Sequence, residues 1–416
     1  MSAIRPFQAL RPVAEVAARV SSVPYDVVNT EEARAQAAGN PLSFLHVTRP
    51  EIDLPPGTDP HADEVYEQAV RSFAELRRAA PLTLDPEPGF YFYRLRAGGH
   101  EQTGLAACYS IDEYEQGLIK KHELTRRDKE DDRTRHMIAL RAQTGVVFLT
   151  YRASAEVDAI ARRACAAPPL YDFTAEDGVE HTLWRVAGAD AGALTEAFAR
   201  VPALYIADGH HRAASAARAR ETLRRGGGGP GEFDTMLAVA FPDEQVRILP
   251  YNRIVKDLAG RSPADFLEAV RAKLPVRPGG PPGGATPSRK GEASMYVDGH
   301  WYTLELDAAR QEGADRTDRT DRIDQLDVSI LQRTVLAGVL GIGDVRSDPR
   351  IDFVGGARGT AALEQAVDSG RAAVAFSLYP VTVDDLMAIS DAGGIMPPKS
   401  TWFEPKLRDG LIVHLI

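Results

Sequence analysis

The apolar run at residues 201–207 carries no charge, closes on Asp208-Gly209-His210-His211-Arg212, and passes straight into Ala213-Ala214-Ser215-Ala216-Ala217-Arg218. That order dictates a buried strand, a sharp turn at the glycine, and a helix whose small side chains let it pack closely. A helix N-terminus is thereby fixed at the end of a strand. First-turn amides have no helical partners and the helix dipole is positive there, so an anion can rest on them. Arg212 would clamp such an anion, with Gly209, His210 and His211 completing the cradle. The competing reading is a capped helix, with Asp208 as N-cap and the histidines structural. Two histidines and an arginine at one turn are costly to bury without a ligand, which favours the anion site.

With 416 residues, the chain can bury a sizeable core in two or three domains. Its 44% hydrophobic and 26% charged residues are those of an ordinary soluble globular protein, expected in the cytoplasm. A formal charge of −10 argues against a general nucleic-acid or anionic-membrane surface. The expected partners are therefore small molecules, with no nucleic acid and no membrane, and a homo-oligomer is left open. Cys108 and Cys165 belong to no metal or redox spacing and fit a reducing compartment. The start has no apolar signal region, and no run approaches the ~20 apolar residues of a membrane span.

Along the chain, Asn29 or Thr30 caps a helix, 43–47 reads as a strand, 62–78 as an amphipathic helix, and 90–95 with 102–110 as a hairpin. A strand is expected over 144–151, and a helix runs over 326–340. Residues 277–284 look like a linker and the Asp-Arg-Thr repeat at 315–322 like a solvated loop. The fold class expected is α+β, with a mixed core over residues 1–256 and a C-terminal α+β domain over 257–416.

The charged stretch 119–136 is the second unusual segment. It reads either as a solvated helix face laced with ion pairs or as the carboxylates and bases that phosphoryl chemistry needs. Within it Glu123 and His122 precede the helix proper, while Lys129 and Arg133 share one helical side and Arg126 stands near the start. Asn252 and Arg253 are candidate second contacts to the anion, and His181 reads equally as structural or functional. Met396 to Lys406 is too specific for a tether, yet Lys399 and Lys406 could simply brace a loop.

Ala207-Asp-Gly-His-His-Arg-Ala213, Lys121-His-Glu-Leu-Thr-Arg126, Lys129-Glu-Asp-Asp-Arg133, Arg350-Ile-Asp-Phe-Val-Gly-Gly356 and Met396-Pro-Pro-Lys-Ser-Thr-Trp-Phe-Glu-Pro-Lys406 together resemble the bacterial and archaeal domain-of-unknown-function 1015 family. The likeness runs from Ile4 to Leu415, apart from the glycine-proline insert and the Asp-Arg-Thr repeat. The Asp208-Gly-His-His-Arg212 box is also similar to the phosphate-binding box of the ParB/sulfiredoxin superfamily, one branch of which comprises free serine kinases. Sulfiredoxin's cysteine and ParB's arginine pair and DNA-binding helices are missing.

The resemblance implies a ParB/sulfiredoxin-like core and a nucleotide-dependent phosphotransferase, with free L-serine the favoured acceptor and ATP or ADP with Mg2+ as cofactors. Catalytic roles then fall to Glu123, Asp208 and His210, with Asp208 also the metal ligand. Gly209, His210, His211, Arg212, Asn252 and Arg253 would bind phosphate or nucleotide. His122, Arg126, Lys129 and Arg133 would stand at the substrate or behind it. Glu31 or Asp26 could replace Glu123 as the base, since the serine kinases carry their acid nearer the chain start. The alternative function is a non-catalytic nucleotide- or metabolite-binding regulator, and a metal-dependent hydrolase is a third class, weakened because His210 and His211 would point apart.

Overall fold

The computed structural model describes residues 3–79, 82–186, 188–227, 229–281, 283, 285–310 and 319–416, with 319–321 described by backbone alone. The chain divides into two compact units, Met1–Val246 with Pro405–Ile416, and Arg247–Glu404. A single cut after residue 256 therefore does not describe the chain. The strand Tyr251–Val255 is hydrogen-bonded inside the second unit, and the tail returns to the first, where Val413 pairs with Leu10.

The first unit is built on a mixed nine-stranded sheet among the described residues. Its strands are β1 (Ile4–Arg5), β2 (Phe90–Ala97), β3 (His100–Ser110), β4 (Ile119–Lys120), β5 (Val147–Tyr151), β6 (Tyr171–Thr174), β7 (Glu180–Val186), β8 (Leu204–Asp208) and β9 (Thr235–Pro242). Their order is β4-β8-β5-β9-β3-β2-β7-β6, with β1 on β3. β4 with β8 and β5 with β9 are parallel pairs, and the rest are antiparallel. The expected hairpin is β2–β3, turning at Gly98 and Gly99, both with positive φ.

Three helices matter for the site: α1 (Asp63–Ala79), α2 (Arg127–Leu140) and α3 (His210–Arg225). In α1, Val65, Tyr66, Ala69, Phe73 and Leu76 recur at helical spacing and all are buried. In α3 the stripe Ala213, Ala216, Ala219 is buried against the sheet residues Val147, Leu149, Leu204 and Ile206. The absence of larger side chains on that stripe lets α3 lie close to β5 and β8. Its neighbouring face meets α2, where Ser215 Oγ donates to the Glu130 carbonyl at 3.2 Å.

One expectation fails locally and another is refined. Residues 43–47 form no strand: Leu45–Thr48 is a helical turn with Leu45, Val47 and Thr48 buried. A short apolar run has too few residues for its periodicity to separate strand from helix. In 326–340, an α-helical turn Asp327–Leu331 gives way to a π-helical segment Gln332–Ala337, where Thr334 Oγ1 donates to the Ile330 carbonyl at 2.6 Å. The helix capped by Asn29 is as expected, Thr30–Ala37, with a reciprocal Asn29–Glu32 box.

The second unit carries a six-stranded sheet of β10 (Tyr251–Val255), β11 (Val276–Pro278), β12 (Glu292–Val297), β13 (His300–Glu305), β14 (Ile351–Gly355) and β15 (Val374–Leu378). Their order is β11-β13-β12-β15-β10-β14. Arg277 and Pro278, expected in a linker, form the edge strand β11, a place where proline's missing N–H costs no ladder bond. Ile254, Tyr296, Trp301, Val354, Leu363, Ala366 and Ala375 make the core of this unit. Residues 315–318 of the Asp-Arg-Thr repeat lie outside the described residues, and Arg319–Asp324 is a short helix.

Candidate active site

The pairing of β8 with β5 slips between Ile206 and Asp208, so the strand bends as it reaches the box. Gly209 follows with φ +90°, a left-handed conformation in which an added Cβ would sit 3.3 Å from Arg212 Cζ and 3.4 Å from Val147 Cα. The dihedral requires glycine, and the space around it is tight. α3 then begins at His210 with Gly209 as N-cap and no side-chain cap. Asp208 is therefore not the cap. Its Oδ2 accepts instead from Lys406 Nζ at 3.1 Å and lies 3.5 Å from Arg212 Nη2. Burial works to raise the Asp208 carboxyl, but Lys406 and Arg212 overcome it and hold the group well below the usual carboxylate range.

Arg212 is 6% exposed and turned into the protein. Its Nη1 donates to the Val146 carbonyl, its Nη2 lies 3.3 Å from Asp26 Oδ2, and Nε has no hydrogen-bond partner among the described residues. Gly145 makes room for it: an added Cβ there would stand 3.0 Å from Arg212 Cδ. Asp409 joins the same cluster from the C-terminal segment, and its Oδ2 has no partner among the described residues. Burial pushes the Asp409 carboxyl up to about 7, Asp26 adds to the rise, and Arg212, Arg133 and the Val146 amide oppose it. The guanidinium expected to clamp a ligand here organises three carboxylates.

Opposite the start of α3 stand His122 and Glu123. β4 runs parallel beside β8, with Ile119 level with Leu204, so the residues just past β4 arrive where β8 turns into α3. His122 and His210 are both buried and meet edge to face, with ring centroids 4.4 Å apart. The His122 amide donates to His210 Nε2 at 3.4 Å, and His210 Nδ1 lies 3.8 Å from Glu123 Oε2. With its lone pair at Nε2 facing an N–H, the neutral ring carries its proton on Nδ1 and presents it toward Glu123. Burial lowers His122 to about 4 and His210 well below the ordinary histidine value, so both rings are neutral near pH 7. His211 Nε2 accepts from the Arg126 amide at 3.0 Å.

Among the remaining candidates, the Arg126 side chain is exposed and pairs with Asp128 at 2.7 Å, while Lys129 is half-buried on α2. Arg133 binds Asp132 at 2.8 Å and lies 4.3 Å from the centroid of the Tyr25 ring, next to Asp26. Of the alternative bases, Glu31 makes an exposed pair with Arg34 at 2.8 Å, whereas Asp26 stands on Arg212. Asn252 and Arg253 lie on β10 in the second unit. There Asn252 Oδ1 accepts from the Leu378 amide at 3.4 Å, and Arg253 donates to the carbonyls of Tyr251 and, at 3.0 Å, Lys399. His181 is structural in its contacts, buried with Nδ1 2.8 Å from Tyr93 Oη and its ring stacked on Phe173. Asp409 carries no sequence signal of its own, and Lys406 is legible only as part of an unusual stretch.

The model of the family described as protein of unknown function (DUF1015) matches residues 4–329. The chain belongs to this family. No curated protein matches this DUF1015 chain. Among solved structures it is similar to C-terminally truncated SbnI from Staphylococcus aureus, at 11% identity and TM-score 0.39, over 74% of this chain and 87% of the other. A free serine kinase in complex with AMP follows at 13% identity and TM-score 0.33, over 74% and 91%. A conserved hypothetical protein from Pyrococcus furiosus gives 14% identity and TM-score 0.34, over 74% and 95%. Among the described residues of the DUF1015 chain, no helix is long and apolar enough to cross a membrane.

Proposed function

We propose that this DUF1015 protein is a nucleotide-dependent phosphotransferase acting on a small hydroxylated metabolite, with free L-serine the favoured acceptor and ATP or ADP the donor. The observation that carries the reading is the neutral His210 ring at an uncapped helix N-terminus, with Glu123 3.8 Å from its Nδ1. The donor set fits a phosphate: first-turn amides of α3, a close approach guaranteed by Gly209, and an imidazole N–H. Glu123, its side chain 38% exposed, orients the acceptor hydroxyl and takes its proton. Asp208, kept ionised beside Lys406, is the carboxylate for Mg2+, which when bound would neutralise phosphate charge. Arg212 holds Asp208 and Asp26 in place from behind, a positioning role. The choice of serine rests on the likeness of the Asp208–Arg212 box to that of free serine kinases.

The test is formation of O-phosphoserine from serine with ATP or ADP and Mg2+, in wild type and Glu123→Gln. Loss of roughly 100-fold or more in the variant is expected if Glu123 is the base. Equal turnover removes Glu123 from the role. No product with either nucleotide ends the kinase reading, and calorimetric nucleotide binding without product assigns the protein to the non-catalytic binders.

A further inference from the structure

We propose that His122, Glu123 and His210 form a binding site for one divalent first-row transition ion, with zinc as the reference. The site shares the pocket of the proposed phosphotransferase but does not depend on phosphoryl transfer. One ligand atom from each residue lies within 4.8 Å of the others. Two imidazoles and one carboxylate are the donor set of three-ligand zinc sites that keep a fourth position open, whereas Mg2+ takes oxygen ligands. Tetrahedral bonds of about 2.0–2.1 Å place ligand atoms roughly 3.3 Å apart, so these atoms need to close by up to about 1.5 Å. The architecture fits such a movement. The histidines are packed edge to face in the interior, fixed by β4 and the start of α3, while Glu123 stands half-exposed on the segment after β4 and can swing inward.

The metal-free arrangement also says what binding must change. His210 keeps its Nε2 lone pair toward the His122 amide, at a long 3.4 Å, and its proton on Nδ1 toward Glu123. An ion at Nδ1 displaces that proton. The ring's single proton then resides on Nε2, and the long amide contact opens. Proton count on the neutral ring is unchanged, so the signature is a switch of tautomer.

The experiment uses the full chain freed of metal with a chelator, titrated with Zn2+ against a chromophoric competitor and followed by nitrogen NMR of labelled histidines. Expected are one equivalent of tightly bound zinc, a switch of His210 from the Nδ1–H to the Nε2–H form, and affinity weakened at least about 100-fold in Glu123→Gln and His210→Ala. His300→Ala, on an exposed hairpin of the second unit, should bind within about threefold of wild type. No stoichiometric zinc, undiminished binding by Glu123→Gln, or zinc bound without the tautomer switch each overturns the proposal. Glu123→Gln alters a half-exposed side chain, so it tests the site even where a histidine variant fails to fold. Zinc binding without phosphoserine formation would sink only the kinase reading, and phosphoserine formation without zinc binding would sink only this one.

Discussion

Arg212 in the first unit and Arg253 in the second are buried almost equally, 6% and 2% exposed, and are held in opposite ways. Around Arg212, burial works against the charge, but Asp26, Asp208 and Asp409 outweigh it and the guanidinium is held more firmly protonated than in water. Around Arg253 no carboxylate stands within ion-pair distance among the described residues. Its partners are the carbonyls of Tyr251 and Lys399 and the face of Phe353, and burial lowers it to about 9. One arginine is the hub of a charge-compensated cluster that fixes acids at the proposed site. The other is a pin between a strand and a loop. The difference lies in what a substitution leaves behind, since a buried carboxylate without its cation costs far more than a carbonyl without one of its donors.

The largest expected effect follows directly. Arg212→Leu should lose about 3–5 kcal/mol of stability in denaturant unfolding, because the buried Asp409 and the less buried Asp26 lose their shared cation and Asp208 keeps only Lys406. Arg253→Met should lose under about 2 kcal/mol. Equal losses would break the contrast between hub and pin.

The acid side of the cluster gives a pH test. Asp409 titrates near 7 in the folded chain against an ordinary value of 3.8, so the native state holds this proton more tightly than the unfolded state does. The stabilisation this supplies is complete below about pH 4 and is lost as pH rises through 7. The groups facing Asp409 are Arg212, Asp26, Arg133 and the Val146 amide. Asp409→Asn cannot ionise, so its stability relative to wild type should rise by roughly 2 kcal/mol between pH 5 and pH 8. A constant difference across that range would mean that Asp409 is already ionised at pH 5.

Smaller effects sharpen the picture. Gly209→Ala forces a side chain into a left-handed conformation against Arg212 and should cost about 1–2 kcal/mol. Arg225→Ala removes an exposed pair with Glu221 at the far end of α3 and should cost no more than about 0.5 kcal/mol in thermal unfolding. A larger loss there would show that α3 is held from its C-terminal end as well as through the Arg212 hub.

What the sequence discloses follows the range of the interactions. The turn at Gly209, the helix behind it and the alanine stripe are set by neighbouring residues, and they can be read directly. Glu123 and His122 are recognisable as chemistry, but their meeting with His210 depends on the parallel pairing of β4 and β8, which no local pattern announces. Asp26, Arg212 and Asp409 come from three distant parts of the chain, and Asp409 stands beside Arg408 in a short charged run that points to no partner. Arg212 reads as an anion clamp from its place beside the helix start. Only the surrounding carboxylates show that the guanidinium faces inward. Residues 43–47 mislead for the opposite reason, being so short that tertiary packing overrides propensity.

The first unit is discontinuous, and that has a consequence for its synthesis. Asp208 and Arg212 leave the ribosome well before Lys406 and Asp409, with all of Arg247–Glu404 made in between. During that interval the box lacks the lysine that pairs with Asp208. The Asp208 side of the proposed site is therefore completed only after residues 405–409 have been made.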